Sequence, residues 1–232
     1  MTQEIYTKEN GDYLQNNPAW HIEDSPWKAK QILKMIKRNN LNPKSIAEIG
    51  CGAGEILNQL HLTLPKDIIF AGYDISTDAI SMAKQREKER LIFRQESFTE
   101  TQENFDLLLM IDVFEHVDDY LSFLKKCRGK ATNTIFHIPL DISVQSVLRN
   151  KLMSSRNLVG HLHYFSKETA IATLVDSGYD ILDYFYTPGL IELPRKSLKT
   201  NLAVLPRKLL YSLNQDFAVR TLGGFSLLVL AK

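Results

Sequence analysis

Residues Ile46-Ala47-Glu48-Ile49-Gly50-Cys51-Gly52-Ala53-Gly54 constrain this chain more than any other stretch, because they read as a buried strand running straight into a glycine-rich turn. Without β-carbons, Gly50, Gly52 and Gly54 can take positive φ and admit a ligand to contact distance. Asp74 follows Gly54 by 20 residues, at the end of a second apolar run from Ile68 to Tyr73. A carboxylate at that place can accept both hydroxyls of a ribose. A tight strand-to-helix turn that binds nothing would carry the same glycines, so the turn alone does not speak for a ligand. Spacing still separates ligand classes. A dinucleotide fingerprint runs Gly-x-Gly-x-x-Gly, its third glycine set for tight helix packing and a pyrophosphate on the helix N-terminus. Here the order is Glu48-x-Gly50-x-Gly52-x-Gly54, which fits a dinucleotide oxidoreductase poorly.

Two later segments add context. Phe105-Asp106-Leu107-Leu108-Leu109-Met110-Ile111 is an apolar strand whose continuous run from Leu107 means that both faces are covered, as in a central parallel strand; Asp112-Val113-Phe114-Glu115-His116-Val117 follows it. Between this strand and Asp74, Leu91 to Phe98 fits a third strand and the loop after it. In this order and spacing the segments resemble the first and fourth motifs of class I S-adenosylmethionine-dependent methyltransferases, and are similar to ubiquinone-biosynthesis-like small-molecule O-methyltransferases. The resemblance covers residues 45 to 187 well and the flanks poorly.

The resemblance implies an α/β fold: a Rossmann-like, doubly wound, seven-stranded sheet, mostly parallel with the last strand antiparallel, and helices on both faces. It implies S-adenosylmethionine as cofactor and a small-molecule oxygen or nitrogen as acceptor. Glu48, Gly50, Gly52 and Gly54 would shape the methionine end of the cofactor, and Asp74 would take the ribose hydroxyls. Ile75, Ser97 and Phe98 would surround the adenine, and Asp112 and Val113 would line the methionine side. Many relatives carry Asp where Ser97 stands, and a hydroxyl is a weaker acceptor than a carboxylate.

Composition excludes several partners. With 28 Lys and Arg against 27 Asp and Glu, the net charge of +1 lacks the basic excess of a nucleic-acid binder. Cys51 and Cys127 are too few to staple 232 residues, which points to a reduced, cytoplasmic setting. The first ten residues carry no apolar leader core, and no run approaches the roughly 20 residues needed to cross a bilayer. No transmembrane segment is expected.

Along the chain, residues 1–44 read as an aromatic segment (Trp20, His21, Trp27) and a helix that Ser25 caps with Pro26 in its first position. These aromatics either close a pocket or simply bury against the core. Strands and helices then alternate: strands at 45–49, 68–74, 91–95, 106–112 and 133–139, and helices at 54–61, 77–89 and 117–128. The charge run from Lys84 to Glu89 reads as the solvated face of the second of these helices. An acceptor-side insertion spans 141–163, Ser166 caps a helix to Asp176, and the last two strands take 179–187 and 225–231. The excursion 188–224 is long for a compact domain. It carries Arg195, Lys196, Lys199, Arg207, Lys208 and Arg220 against Asp216, interleaved with leucines. It reads as an amphipathic lid, or as contact with an acidic or lipid-linked substrate or a membrane surface.

Histidines are the natural bases near neutral pH. His61 falls at a surface helix end and His137 inside a strand, where a satisfied core residue is expected. His116, with His161 and His163 of the Gly160-His161-Leu162-His163-Tyr164-Phe165-Ser166 segment, remain as catalytic candidates, the alternative for the last two being a structural turn. The segment resembles one in ubiquinone-biosynthesis-like O-methyltransferases. There an acidic-x-x-Glu-His cluster like Asp112-x-x-Glu115-His116 is associated with a divalent metal, although Glu-His-Val also serves as helix-start packing. The sequence assigns no metal on this basis. A cyclase or lyase using the same cofactor and a non-catalytic cofactor-binding scaffold are the competing functions.

Overall fold

The computed structural model describes residues 22–193 and 204–232. Trp20 and His21, and Arg195, Lys196 and Lys199 of the excursion, lie outside them. A short 3-10 turn at Ile22–Asp24 leads into α1 (Ser25–Arg38), followed by β1 (Ser45–Ile49), α2 (Glu55–Thr63), β2 (Ile69–Asp74), α3 (Thr77–Lys84) and β3 (Leu91–Gln95). Strand β4 (Phe105–Ile111) comes next, then a 3-10 turn at Phe114–His116, α4 (Tyr120–Cys127) and β5 (Ala131–Pro139). The remainder comprises α5 (Val144–Leu148), α6 (Lys151–Val159), α7 (Lys167–Asp176), β6 (Ile181–Thr187), α8 (Gly189–Glu192), α9 (Val204–Leu213), α10 (Gln215–Leu222) and β7 (Ser226–Ala231).

The strands form one sheet in the order β3-β2-β1-β4-β5-β7-β6. Strand β7 is antiparallel to β5 and β6, and the other pairings are parallel, as the apolar runs and the family resemblance imply. Because side chains alternate across a strand, the central strands feed two cores. Leu108, Met110, Leu227 and Val229 join Phe114, Phe136, Phe165 and Leu174 on one face. Leu107, Leu109, Leu228 and Leu230 join Ile32, Met35, Leu57 and Ile80 on the other. Helices therefore cover both faces, which is why β4 needs no polar position between Leu107 and Ile111. The order runs outward from β1 in one direction and from β4 in the other, so a crevice opens between their carboxyl ends, where ligands of open α/β sheets bind.

Several elements depart from the sequence reading. Asp24 is already in a right-handed helical conformation, so Ser25 lies inside α1 rather than capping it, with Pro26 still in the first turn. Helix α3 ends at Lys84 rather than near Glu89. Beyond that point the chain is held by charged side chains: Arg86 Nε donates to Glu55, and Glu87 accepts from the Phe93 amide at 2.9 Å. Arg90 (φ 63°) then turns it into β3. The insertion 141–163 folds into α5 and α6, and the described part of the excursion into α8, α9 and α10. Arg207 is buried, donating to the Gly223 carbonyl and Gln145, and Arg220 pairs with Glu168, so both serve the fold. Among the described residues no helix is long and apolar enough to cross a membrane.

Candidate active site

A cavity of about 990 Å³ opens at this crevice. Its floor is the turn after β1. Gly50 (φ 64°) lets the chain leave the strand under Val113, whose Cγ2 a β-carbon at Gly50 would meet at 2.8 Å. The Gly52 amide donates to Asp74 Oδ2 (2.9 Å) and the Ser76 amide to Oδ1 (2.9 Å), so the carboxylate is fixed by main chain from both β1 and β2 ends. Burial pushes Asp74 up from its usual range despite these bonds. Gly54 (φ 77°) does a different job from its neighbours: a β-carbon there would lie 2.5 Å from the Phe93 ring, so it allows α2 to pack on the sheet, and it is not among the cavity-lining residues. Ile75, Ser97, Phe98 and Val113 all line the cavity. The Phe98 ring also packs edge-on to Tyr73 at 5.0 Å, in the aromatic core.

At the mouth of β4, Asp112 takes φ 55°, rare for a residue with a side chain. Its carboxylate meets Lys28 Nζ at 2.7 Å and His137 Nδ1 at 2.6 Å. Burial alone would raise the Asp112 pKa, but His137 and Lys28 outweigh it and hold the carboxyl well below the usual range. His137 is satisfied on both nitrogens, Nε2 facing Thr187 Oγ1 at 2.8 Å, yet it lines the cavity and supports Asp112. Glu48, from β1, is 2% exposed and lines the same wall; its Oε2 has no hydrogen-bond partner, and burial pushes its pKa well above the ordinary value.

A second polar corner faces this one. Glu115 is wholly buried, with neither carboxylate oxygen hydrogen-bonded. One ligand atom each from Glu115, His116 and His161 lies within 4.8 Å of the others. His161 Nδ1 faces Asp141 Oδ2 at 2.6 Å, and His116 Nδ1 donates to the Gly160 carbonyl at 3.1 Å. The Glu115 carbonyl accepts from the Leu162 and His163 amides, which ties the 3-10 turn to the end of the insertion. Burial, and then the neighbouring His161, push His116 down to about 4, while burial and Asp112 push Glu115 well above its ordinary value. His163 is not brought in: its Nε2 donates to the Val117 carbonyl (2.9 Å), its ring lies 4.4 Å from that of Tyr120, and it does not line the cavity.

The open side is walled by Trp27 of α1 and by Leu190 and Leu193 around α8. Trp27 Nε1 donates to Glu192 Oε2 (2.7 Å) and Gln31 Nε2 donates to the same oxygen (3.2 Å), joining the two walls. Lys28, Asp141 and Thr187 are the residues that sequence reasoning missed. Lys28 is one of several lysines on an amphipathic helix, and only the arrival of β4 beneath it marks it out. Asp141 had a weak signal, as the acid that opens the insertion carrying His161.

A family model for methyltransferase domains matches residues 20–184. Ubiquinone biosynthesis O-methyltransferase from Actinobacillus pleuropneumoniae serotype 7 (strain AP76) is 29% identical over 104 residues, 40% of this chain and 43% of that protein. The enzyme of the same name from Rhodopseudomonas palustris (strain BisA53) is 36% identical over 99 residues, 37% of this chain and 38% of that protein. The chain thus spans about two fifths of the length of these curated relatives. Among solved structures, plantazolicin methyltransferase in complex with a pentazolic desmethyl analogue and SAH superposes with TM-score 0.64 at 15% identity, covering 100% of this chain and 94% of that one. Magnesium protoporphyrin IX methyltransferase from Synechocystis PCC 6803 with bound SAH gives TM-score 0.59 at 13% identity, covering 99% and 90%.

Proposed function

Because the chain belongs to the methyltransferase domain family, we propose that it transfers the methyl group of S-adenosylmethionine to an oxygen or nitrogen of a small molecule. The observation that carries this reading is one continuous cavity lined both by the Gly50 and Gly52 turn with Asp74 and by His116 and His161, behind which Glu115 is buried. The cofactor supplies an already activated methyl, so the protein's work is orientation, exclusion of water and handling of the acceptor proton.

The residues present fit such a ligand. Asp74, held by two amides, still offers its remaining lone pairs to a ribose diol. The unpartnered Glu48 Oε2 and the Lys28–Asp112 pair together offer acceptors for an ammonium and a donor for a carboxylate, which suits the amino-acid end. Ile75, Ser97 and Phe98 take the adenine side. Trp27, Leu190 and Leu193 then exclude water over the acceptor. His161, oriented by Asp141, and His116 stand where the acceptor's proton leaves. We place the N-terminal segment and helix as cover for the pocket, the insertion 141–163 as its acceptor side and the 188–224 excursion as its lid.

A second reading of the polar corner is favoured by the unpartnered Glu115 oxygens. Glu115, His116 and His161, rather than Asp112, would hold a divalent cation whose chemistry there is to acidify a bound hydroxyl. Asp112 is already engaged by Lys28 and His137. A carboxylate with two imidazoles suits zinc or a similar transition ion better than magnesium.

Incubation with methyl-labelled cofactor over phenol, sugar and amine acceptors tests the reading: a labelled acceptor with SAH supports it, and methylthioadenosine points instead to a lyase or cyclase. His161→Ala is expected to lower kcat by at least about a hundredfold while leaving SAH affinity within a few-fold. Elemental analysis and a chelation series decide the cation: full kcat in metal-free protein retires it.

A further inference from the structure

Lys130 sits on the turn between α4 and β5, outside every motif, yet it reaches the adenine side of the cavity from behind. Its Nζ donates to the main-chain carbonyls of Phe98 (3.0 Å), Thr99 (2.8 Å) and Thr101 (2.7 Å), and it lies 5.4 Å from the centroid of the Phe98 ring. An ammonium has three protons to donate, and all three go to carbonyls of one loop. That loop joins β3 to β4 without helix or strand, and its Ser97, Phe98 and Thr99 line the cavity. Lys130 itself is anchored: its amide donates to the Cys127 carbonyl (3.3 Å), and its carbonyl accepts from the Phe105 amide at the start of β4 (3.0 Å).

The loop needs this help. Ser97 Oγ is shared with Thr99 Oγ1 at 2.8 Å, and the neighbouring Glu96, which also lines the cavity, has its carboxylate 3.8 Å from Arg94, so both polar side chains at this point already have partners. Recognition of the base then depends on where the loop's main chain sets these groups, and charge-assisted hydrogen bonds are the stronger kind for holding it.

Building on the methyl-transfer reading above, we propose that Lys130 is a positioning residue for cofactor selection: it sets the 97–101 loop against the adenine ring and so fixes the protein's preference for an adenosyl ligand. It touches neither the reacting methyl nor the acceptor.

The test is calorimetry of SAH and of its 6-oxo analogue, S-inosylhomocysteine, on the full chain and on Lys130→Met and Lys130→Arg. Lys130→Met is expected to raise the SAH Kd by about tenfold or more, and to bring the two ligands within about threefold of each other. Lys130→Arg, which keeps the charge, is expected to recover most of the discrimination. At saturating cofactor, kcat should stay within about twofold of the parent, because the methyl end is untouched. Equal losses for both ligands, an unchanged SAH Kd in Lys130→Met, or a fall in kcat at unchanged KM would overturn the proposal. If Lys130→Met does not fold, Lys130→Gln carries the same comparison. Failure of the parent protein to bind SAH would instead remove the methyl-transfer reading itself.

Discussion

Glu48 is a carboxylate placed where charge is poorly supported, and that has a measurable consequence. Its folded pKa lies above the unfolded value of about 4.3, so the folded state holds the proton more tightly. The stability this provides is complete below about pH 4 and is lost as pH rises through the folded pKa. Glu48→Gln cannot ionise, so its melting temperature is expected to fall less than the parent's between mildly acidic and mildly alkaline pH. Parallel curves would show that Glu48 is charged throughout. An ammonium brought beside Oε2 would favour the ionised form, so SAH binding at mildly acidic pH is expected to release protons. Calorimetry in buffers of different ionisation enthalpy reads this directly, and Glu48→Gln should abolish it. Lys28 makes the complementary case. Removing its cation leaves Asp112 with His137 alone, and Lys28→Met is expected to weaken SAH binding by about tenfold, one charge-assisted hydrogen bond, as read by titration.

At the level of elements, the junction of β1 with α2 is the part most intolerant of change. Gly54 combines positive φ with a β-carbon position filled by Phe93, so Gly54→Ala is expected to destabilise the fold by about 2 kcal/mol or more, seen as a lower denaturation midpoint. An unchanged midpoint would mean that the Phe93 ring gives way. The central strands were legible because continuous apolar runs such as Leu107 to Ile111 have few other uses, and the cap at Ser166 because its hydroxyl and Thr169 close on each other. The end of α3 was not, since Arg86 and Glu87 have ordinary helix propensity and only their partners Glu55 and the Phe93 amide stop the helix. The site divides in the same way. Glu48, Gly50 and Asp74 could be picked out because local spacing joins them. The approach of His161 to Glu115, and of Lys28 to Asp112, depends on tertiary contacts that no spacing records. His163 carried the same signal as His161, and only the fold separates them.

For the whole molecule, α1 and the segment around α8, far apart in sequence, meet over one cavity: α1 through Trp27 and Gln31, the segment around α8 through Glu192, with the sheet beneath. The family match covers α1, strands β1 to β5 and the first half of β6 and stops at residue 184, so β7 and the wall at Leu190 and Leu193 lie outside it. The central claim is that the Gly50 and Gly52 turn and Asp74 hold an adenosyl ligand, and calorimetric titration of parent and Asp74→Ala with SAH and with NAD tests it most directly. The expected result is saturable SAH binding by the parent, a loss of about 1.5–3 kcal/mol for each ribose hydrogen bond removed in the variant, and no heat with NAD. Uptake of NAD with indifference to SAH, or equal SAH affinity in both proteins, would contradict the claim.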